Sequence, residues 1–421
     1  MAQPKYSTHA GMYDILPGEV EEWQALERII HEQARLFNFR EIRTPVMEQT
    51  ELIARGVGQL TDIVSKEMFA FERGDDRYVL RPECTAPVVR AFVQHHLEQR
   101  GGTQNLYYIG PMFRAESPQK GRQRQFHQFG AEILGADDPA ADVDIIALML
   151  SIYERVGIDN TTLRINSVGD PDSRDAYREA LRDYFRPHLD ELSEISRERF
   201  EKNPMRILDS KEEEDQPFLE DAPVITDFLG EETAAHYAEV KEGLDALDIA
   251  YTEDPYLVRG LDYYTRTAFE VTSPDLGSQD ALGGGGRYDL LVEEVGGQPT
   301  PAVGFAAGME RLLIALEEQQ ISLAGEDGVD VYIITIGGEA RRWALRHLPS
   351  LRAEGISATM DYIGRSVKAQ MKDADRENAR WSIIVGDHEL EQERYTLRDM
   401  KASEEEPRSF EQIVQTVGGS S

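Results

Sequence analysis

The chain has 421 residues and a formal charge of −33, from 78 acidic and 45 basic side chains, with 40% hydrophobic and 29% charged residues. Domains usually run to roughly 100–200 residues, so two or three are expected, and the composition is that of globular proteins. No apolar run approaches the roughly 18–20 residues that cross a bilayer, which excludes a membrane partner of that kind. The opening MAQPKYSTHAGMYD has neither a basic stretch with an apolar core nor an Arg-rich amphipathic pattern, so a cytoplasmic location is expected. The single cysteine, Cys84, excludes an intramolecular disulfide and CxxC-type zinc sites, which fits a reducing compartment. The acids are spread along the chain instead of forming a tail, and only nine basic residues are lysine. Such a carboxylate excess keeps a protein soluble by self-repulsion, and it reads as adaptation to a halophilic habitat. Any nucleic-acid partner must then be met by local basic patches.

Taken in order, residues 19–38 carry Trp23, Leu26, Ile29, Ile30 and Leu36 near one helical face. Short β-rich runs follow at Arg40–Thr44, Tyr78–Leu80, Leu106–Ile109 and Gln125–Leu134, which predict antiparallel strands. From 171 to 250 the pattern turns to charged helical sequence, with an acidic stretch at Asp209–Asp221, and predicts an inserted helical module. Strand signals return at Tyr264–Thr272 and Ala302–Gly304, followed by a helix over Met309–Glu318, so the first domain resumes. Residues 324–329 read as a linker. Beyond it, strands at 329–336, 357–363 and 381–387 alternate with helices beginning near Ala340 and Ser366, which predicts a separate α/β domain. The expected domains are 1–170 with 251–324, an insertion at 171–250, and 326–421. No internal repeat is evident.

The stretch Tyr107–Gly135 places two strand-like runs around a polar loop, Ala115–Gln123, bearing Lys120 and Arg122 between Arg114 and Arg124. A guanidinium fork can pair two phosphate oxygens at once, so this hairpin could embrace a triphosphate or an RNA end. A solvated basic loop is the other reading. Gly283–Gly286 lacks a GK[ST] ending and opens no helix, so it supports neither a P-loop nor a dinucleotide fingerprint. It reads as close backbone approach to a substrate or as a plain turn. Cys84 has no histidine linked to it by motif and reads as inert. His95, His96 and His127 lack metal-ligand spacing, so no protein-bound metal is expected.

The wording PMFRAESPQKGRQRQFHQFGAE resembles the second signature of class II aminoacyl-tRNA synthetases in its histidyl form. In the family's order, Phe39–Glu48 is similar to the degenerate first signature, LVRGLDYYT (257–265) and LGGGGRYD (282–289) to the two histidine signatures, and VGFAAGMERLL (303–313) to the third class II signature. The resemblance runs from about Gly11 to the end. It implies an antiparallel sheet flanked by helices, an α/β fold overall, with ATP and Mg2+ used to activate histidine for transfer to a tRNA. It also implies a homodimer formed through the first signature.

Carried over position by position, the resemblance makes Arg259, Arg114 and Arg311 the catalytic arginines, with Arg259 on the α-phosphate of ATP. It assigns Glu83, Thr85, Gln128, Glu132, Tyr263 and Tyr264, with Arg259, to the histidine pocket. Imidazole offers one donor and one acceptor and an α-ammonium prefers carboxylates, so acids, an amide and hydroxyls suit such a pocket. Arg114, Arg122, Phe126, Gly304 and Arg311 would hold ATP. Taken without the family, Arg259 could be a structural ion pair, Arg311 a surface pair with a nearby acid, and each tyrosine a core aromatic. Tyr13 departs from the arginine that many relatives carry.

Residues 326–421 resemble the anticodon-binding domain of several class II synthetases. Arg341, Arg342, Arg346 and Arg352, then Arg365, Lys368, Lys372, Arg376 and Arg380, are candidate RNA contacts, or else a solvated face balanced by acids. The rival reading is the histidine-sensing regulatory subunit of ATP phosphoribosyltransferase, which shares the core, lacks this last domain and departs from the catalytic signatures.

Overall fold

Trp23, Leu26 and Ile30 bury one stripe of the helix Val20–Leu36, close to the 19–38 expected from their spacing. Asn38 then takes the left-handed conformation, φ 60°, and the chain leaves the helix. The computed structural model describes residues 5–58, 61, 63–208, 210, 212–258, 260–277, 280–325 and 328–419. These fall in two compact units, residues 1–323 and 324–421.

In the first unit the strands are β1 (Arg40–Glu41), β2 (Met47–Gln49), β3 (Phe69–Arg73), β4 (Asp76–Leu80), β5 (Gln104–Phe113), β6 (Gln125–Leu134), β7 (Thr162–Ser167), β8 (Thr252–Glu253), β9 (Thr265–Thr272), β10 (Ala281–Arg287) and β11 (Ala302–Gly308). Eight of them form one sheet in the order β1-β5-β6-β11-β10-β9-β7-β8, and β2-β4-β3 form a second. The large sheet is antiparallel except at its two ends, where β1 pairs with β5 and β7 with β8 in parallel. The β5–β6 hairpin matches the pairing expected around the arginine loop, with Phe113 opposite Gln125.

The glycine run is neither a turn nor a loop but part of β10. A Cβ on Gly283 would lie 2.6 Å from the Ala307 Cβ, so the glycines let β10 and β11 approach closely. One face of the sheet is covered by the helix Ala140–Val156, whose Ile145, Ile146, Met149 and Ile152 share a core with Phe129, Phe269 and Phe305. Fully burying side chains of that size contributes roughly 1.5–3 kcal/mol each.

Between β7 and β8 the chain is helical, as expected, with the helices Pro171–Phe185, Glu194–Lys202 and Glu231–Ala246. Tyr177, Leu181, Phe185, Phe200 and Ile207 make a small core of their own. The helix Glu231–Ala246 instead sends Tyr237, Val240 and Leu244 into the main core. Arg287, wholly buried, donates through Nε to Asp142 Oδ2 at 3.1 Å, and His236 lies 3.4 Å from the same carboxylate. That pair ties β10 to the helix Ala140–Val156.

The second unit contains β12 (Val331–Thr335), β13 (Ala358–Met360), β14 (Trp381–Val385), β15 (Tyr395–Asp399) and β16 (Glu404–Arg408), ordered β13-β12-β14-β15-β16. The first three strands and the helices Gly338–Ala353 and Val367–Arg376 fall where alternation placed them. The β15–β16 hairpin does not follow from the sequence, because EEEPR reads as a loop. As an exposed edge strand it tolerates both its charges and Pro407.

Candidate functional site

A cleft of about 890 Å³ opens over β6, β10 and β11, with the tip of the β5–β6 hairpin and residues from 254–258 and 260–264 as walls. Of the residues singled out from the sequence, Glu83, Thr85, Arg114, Arg122, Phe126, Gln128, Tyr263, Tyr264 and Arg311 all line it. Arg259 lies outside the described residues. Glu132 and Gly304 are not on the wall but directly behind it.

One end of the cleft is cationic. Arg114 leaves the end of β5, donates through Nε to the Pro82 carbonyl at 3.0 Å and carries its guanidinium 5.2 Å from the Phe126 ring centre. Arg311, from the helix Met309–Glu318, donates to the carbonyls of Gly121 (3.1 Å) and Ala281 (2.7 Å), not to an acid as a surface pair would. The neighbouring acid Glu310 is engaged instead by His127, whose backbone N–H donates to it at 2.8 Å. Arg122 meets Glu116 at 3.2 Å. Burial, and then the nearby charges of Arg122 and Arg114, pull the Arg311 guanidinium below its usual value. Arg114 is lowered chiefly by burial too. Three neighbouring guanidiniums, Arg114 and Arg311 held by backbone carbonyls and Arg122 by Glu116, are preorganised for a polyanion.

The other end is acidic and aromatic. Glu83 caps the helix Thr85–Gln94, accepting from the backbone N–H of Thr85 (2.7 Å) and of Ala86 (3.0 Å). Burial pushes its carboxyl up, opposed by those N–H groups. Thr85 Oγ1 donates to Glu132 Oε1 at 2.8 Å and Tyr288 OH to Glu132 Oε2 at 2.5 Å. Glu132 is fully buried, and that burial raises its carboxyl to about 8. Tyr263 packs against Tyr264 at 4.7 Å and Tyr288 at 5.6 Å between ring centres. Burial holds the Tyr263 hydroxyl well above the usual phenol range, so it stays a neutral donor. Gln128 Oε1 is buried without a hydrogen-bond partner, an acceptor waiting on the cleft wall. A pocket with buried acids, a spare amide acceptor and phenols matches a small molecule carrying both N–H donors and a cation.

Sequence reasoning missed Tyr288. Its only signal was its place in LGGGGRYD, where the glycines drew attention first. Gly304 stands opposite Glu132 in the β11–β6 register, and a Cβ there would overlap the Glu132 carboxylate. Its lack of a side chain therefore serves the buried acid and not the cleft surface. Cys84 is buried, and burial pushes its thiol up to about 12, away from the thiolate that a nucleophile needs. Among the described residues no group of three metal-ligating side chains comes together, and no helix is long and apolar enough to cross a membrane.

Comparison with known proteins agrees with this arrangement. The family profile "Histidyl-tRNA synthetase" matches residues 11–312 and "Anticodon binding domain" matches residues 330–419. The chain is 49% identical over 405 residues to the histidine--tRNA ligase of Desulforamulus reducens, covering 96% of this chain and 97% of that protein. It is 47% identical over 414 residues to that of Natranaerobius thermophilus, covering 97% and 98%. Among solved structures, apo histidyl-tRNA synthetase from S. aureus superposes with a TM-score of 0.83 at 40% identity, covering 99% of this chain and all of that one. With one cleft pairing an arginine cluster to a buried acid and phenol pocket, and with relatives matched across nearly its whole length, the chain belongs to the histidyl-tRNA synthetase family.

Proposed function

We propose that the chain is a histidine-tRNA ligase whose two half-reactions run in this one cleft. The observation that carries the reading is the meeting of both chemistries in one cavity, with arginines at one end and the acid, amide and phenol groups at the other. Histidine's carboxylate attacks the α-phosphorus of ATP and pyrophosphate departs, giving histidyl-adenylate. A ribose hydroxyl of the tRNA's terminal adenosine then attacks the histidyl carbonyl, and AMP leaves.

Arg114, Arg122 and Arg311 offset the phosphate charge, with Phe126 stacked beside Arg114 to flank the nucleotide. Arg259, from the family resemblance, stands on the α-phosphate. Glu83, Thr85, Gln128, Glu132, Tyr263 and Tyr264 hold the α-ammonium and imidazole. Mg2+ would accompany ATP, where it would offset phosphate charge and need few protein ligands. Glu116 and Glu270, both on the cleft wall, are the carboxylates that would hold it.

Residues 1–170 with 251–324 serve as the catalytic core, 171–250 as an insertion and 326–421 as the tRNA anticodon reader. Within that last unit Arg342 is paired with Glu339, Arg365 with Asp361, Arg376 with Asp373 and Arg380 with Asp399, which leaves Arg341, Arg346, Arg352, Lys368 and Lys372 without a carboxylate partner among the described residues. A homodimer would form at Phe39–Glu48, beside a cleft of about 780 Å³ lined by Ile42, Thr44, Pro45 and Glu48. The −33 charge favours a cytoplasm rich in salt. The anticodon-binding match at 330–419 favours the synthetase over the histidine-sensing paralogue.

Histidine-dependent exchange of pyrophosphate into ATP, measured across a potassium chloride series, tests the reading. Exchange specific for histidine supports it, and an optimum near molar salt supports the habitat assignment. Histidine binding without exchange at any salt would favour the sensor. Arg259→Ala should abolish adenylate formation while histidine still binds.

A further inference from the structure

The arginine cluster and the acid and phenol pocket cover only part of the cleft floor. Arg164, Glu270, Gly284 and Ala306 stand side by side in the register of β7, β9, β10 and β11, and all four line the cleft. With neighbouring strands about 4.8 Å apart, that row runs roughly 14 Å across the sheet. Its β7 end has no group assigned to histidine or ATP. The walls there are Arg164, 3.6 Å from Asp254, and the inserted helical segment, which contributes Ile195 and Arg199.

The helix Glu194–Lys202 aims that pair. Residues four apart share a helical face, so Ile195 and Arg199 look into the cleft while Ser196 and Phe200 are buried behind them. The start of the helix is pinned by Asp215, fully buried, which accepts from the Ser193 backbone N–H at 2.8 Å and from the hydroxyls of Ser193, Ser196 and Ser210. Ile195 is 52% exposed although apolar. Arg199 donates through Nη1 to the Arg206 carbonyl at 3.0 Å, and among the described residues no carboxylate meets it. One carbonyl uses one donor of the guanidinium fork, so its charge and its other N–H groups are left for a ligand. A cation beside an apolar side chain, on a rigid helix at the open end of a substrate cleft, complements a nucleotide: phosphate on the one, base on the other.

We propose that Ile195 and Arg199, over the β7 end of the cleft floor, form the subsite for the terminal nucleotide of the tRNA, with Arg199 on its phosphate and Ile195 against its base. The inference rests on the ligase reading, in which a third substrate must reach the cleft that holds the activated histidine. The inserted segment then acts in transfer and not in activation. The pyrophosphate of the first step is another anion that could claim the same guanidinium, and the test separates the two.

The test uses the full-length chain with Arg199→Ala and Arg199→Lys, and with Arg197→Ala as a control on the exposed side of the same helix. Histidine-dependent pyrophosphate exchange should stay within about twofold of wild type in all three, KM for ATP and for pyrophosphate included. In aminoacylation Arg199→Ala should lower kcat/KM for tRNA roughly tenfold, the worth of one charged hydrogen bond. The slope of log kcat/KM against log salt should flatten by about 0.7, as for one lost phosphate contact to a single strand. Arg199→Lys should recover most of both, and Arg197→Ala should behave as wild type.

The terminal nucleotide is isolated by comparing Kd for intact tRNA with Kd for the same tRNA lacking its 3′-terminal adenosine. Wild type should hold the intact tRNA roughly tenfold more tightly, and Arg199→Ala should bind the two alike. If Arg199→Ala weakens both by the same factor, the contact lies elsewhere on the tRNA and the proposal is overturned. A raised KM for ATP or pyrophosphate assigns Arg199 to the first step and overturns it too, as does unchanged aminoacylation. Parallel loss of exchange and transfer in folded variants, with lysine no better than alanine, marks a structural role and has the same result. Absence of exchange in the wild type would instead overturn the ligase reading itself.

Discussion

Gly304→Ala separates two accounts of the same position. The family resemblance assigns Gly304 to ATP, whereas its Cβ would fall on the carboxylate of Glu132 and 2.6 Å from the Ala131 carbonyl. Neither neighbour can yield cheaply, since one is backbone and the other is fixed by Thr85 and Tyr288. Overpacking of this kind costs about 1–3 kcal/mol. Moving the Glu132 carboxyl gives up at least one of its two hydrogen bonds, each contributing about 0.5–1.5 kcal/mol for a protonated carboxyl. A stability loss of about 2–4 kcal/mol is expected. The histidine pocket should lose about 2 kcal/mol of binding, which raises the KM for histidine roughly 30-fold.

Pyrophosphate exchange with histidine varied at saturating ATP, and then the reverse, measures both constants. The KM for ATP should stay within about twofold. In a Glu132→Ala background only the clash with the Ala131 carbonyl remains, so the added methyl should cost clearly less, a departure from additivity. A raised KM for ATP with that for histidine unchanged would refute the steric argument and return Gly304 to the nucleotide.

Arg311→Ala removes the side chain that joins the hairpin tip to β10, so kcat/KM for ATP should fall about 100-fold or more with histidine affinity preserved, readable by exchange kinetics and calorimetry. Asp142→Asn takes from the fully buried Arg287 its closer carboxylate, leaving Asp289, and should cost about 3 kcal/mol in denaturant unfolding. The carboxyl of Glu132 sits at about 8 in the fold against 4.5 ordinarily, so the folded state holds its proton longer than the unfolded chain. Its contribution to stability is therefore intact below about pH 4.5 and is lost as pH rises to about 8. Glu132→Gln should flatten the fall of Tm across that window, and an unchanged pH profile would count against the assignment.

Several features were legible because they depend on local pattern. The helix Val20–Leu36, the arginine hairpin and the charged helices after residue 171 each follow from spacing within a few turns. The cleft residues could be named because their motifs were intact. What escaped depends on contacts distant in sequence. Tyr288 matters only because Glu132, 156 residues earlier, lies within its reach. Gly304 and Glu132 face each other only once β11 pairs with β6. Arg287 is wholly buried because Asp142, 145 residues earlier, meets it only in the fold. The arginines at 174, 178 and 206 come together beside Asp262 only in the fold.

The β6–β11 pairing also has a consequence for how the protein is made. It joins Gln128 to Gly308 and Leu134 to Ala302, separations of 180 and 168 residues. At about 5–20 residues per second on the ribosome, β6 emerges roughly 10–35 s before its partner exists. During that interval the nascent chain holds a hairpin with one open edge, and the segment with its own small core, around Tyr177 and Phe200, is synthesised and can close on itself. The catalytic floor is thus completed only after the inserted helices have been threaded out, and the dispersed negative charge keeps waiting chains apart until β11 arrives.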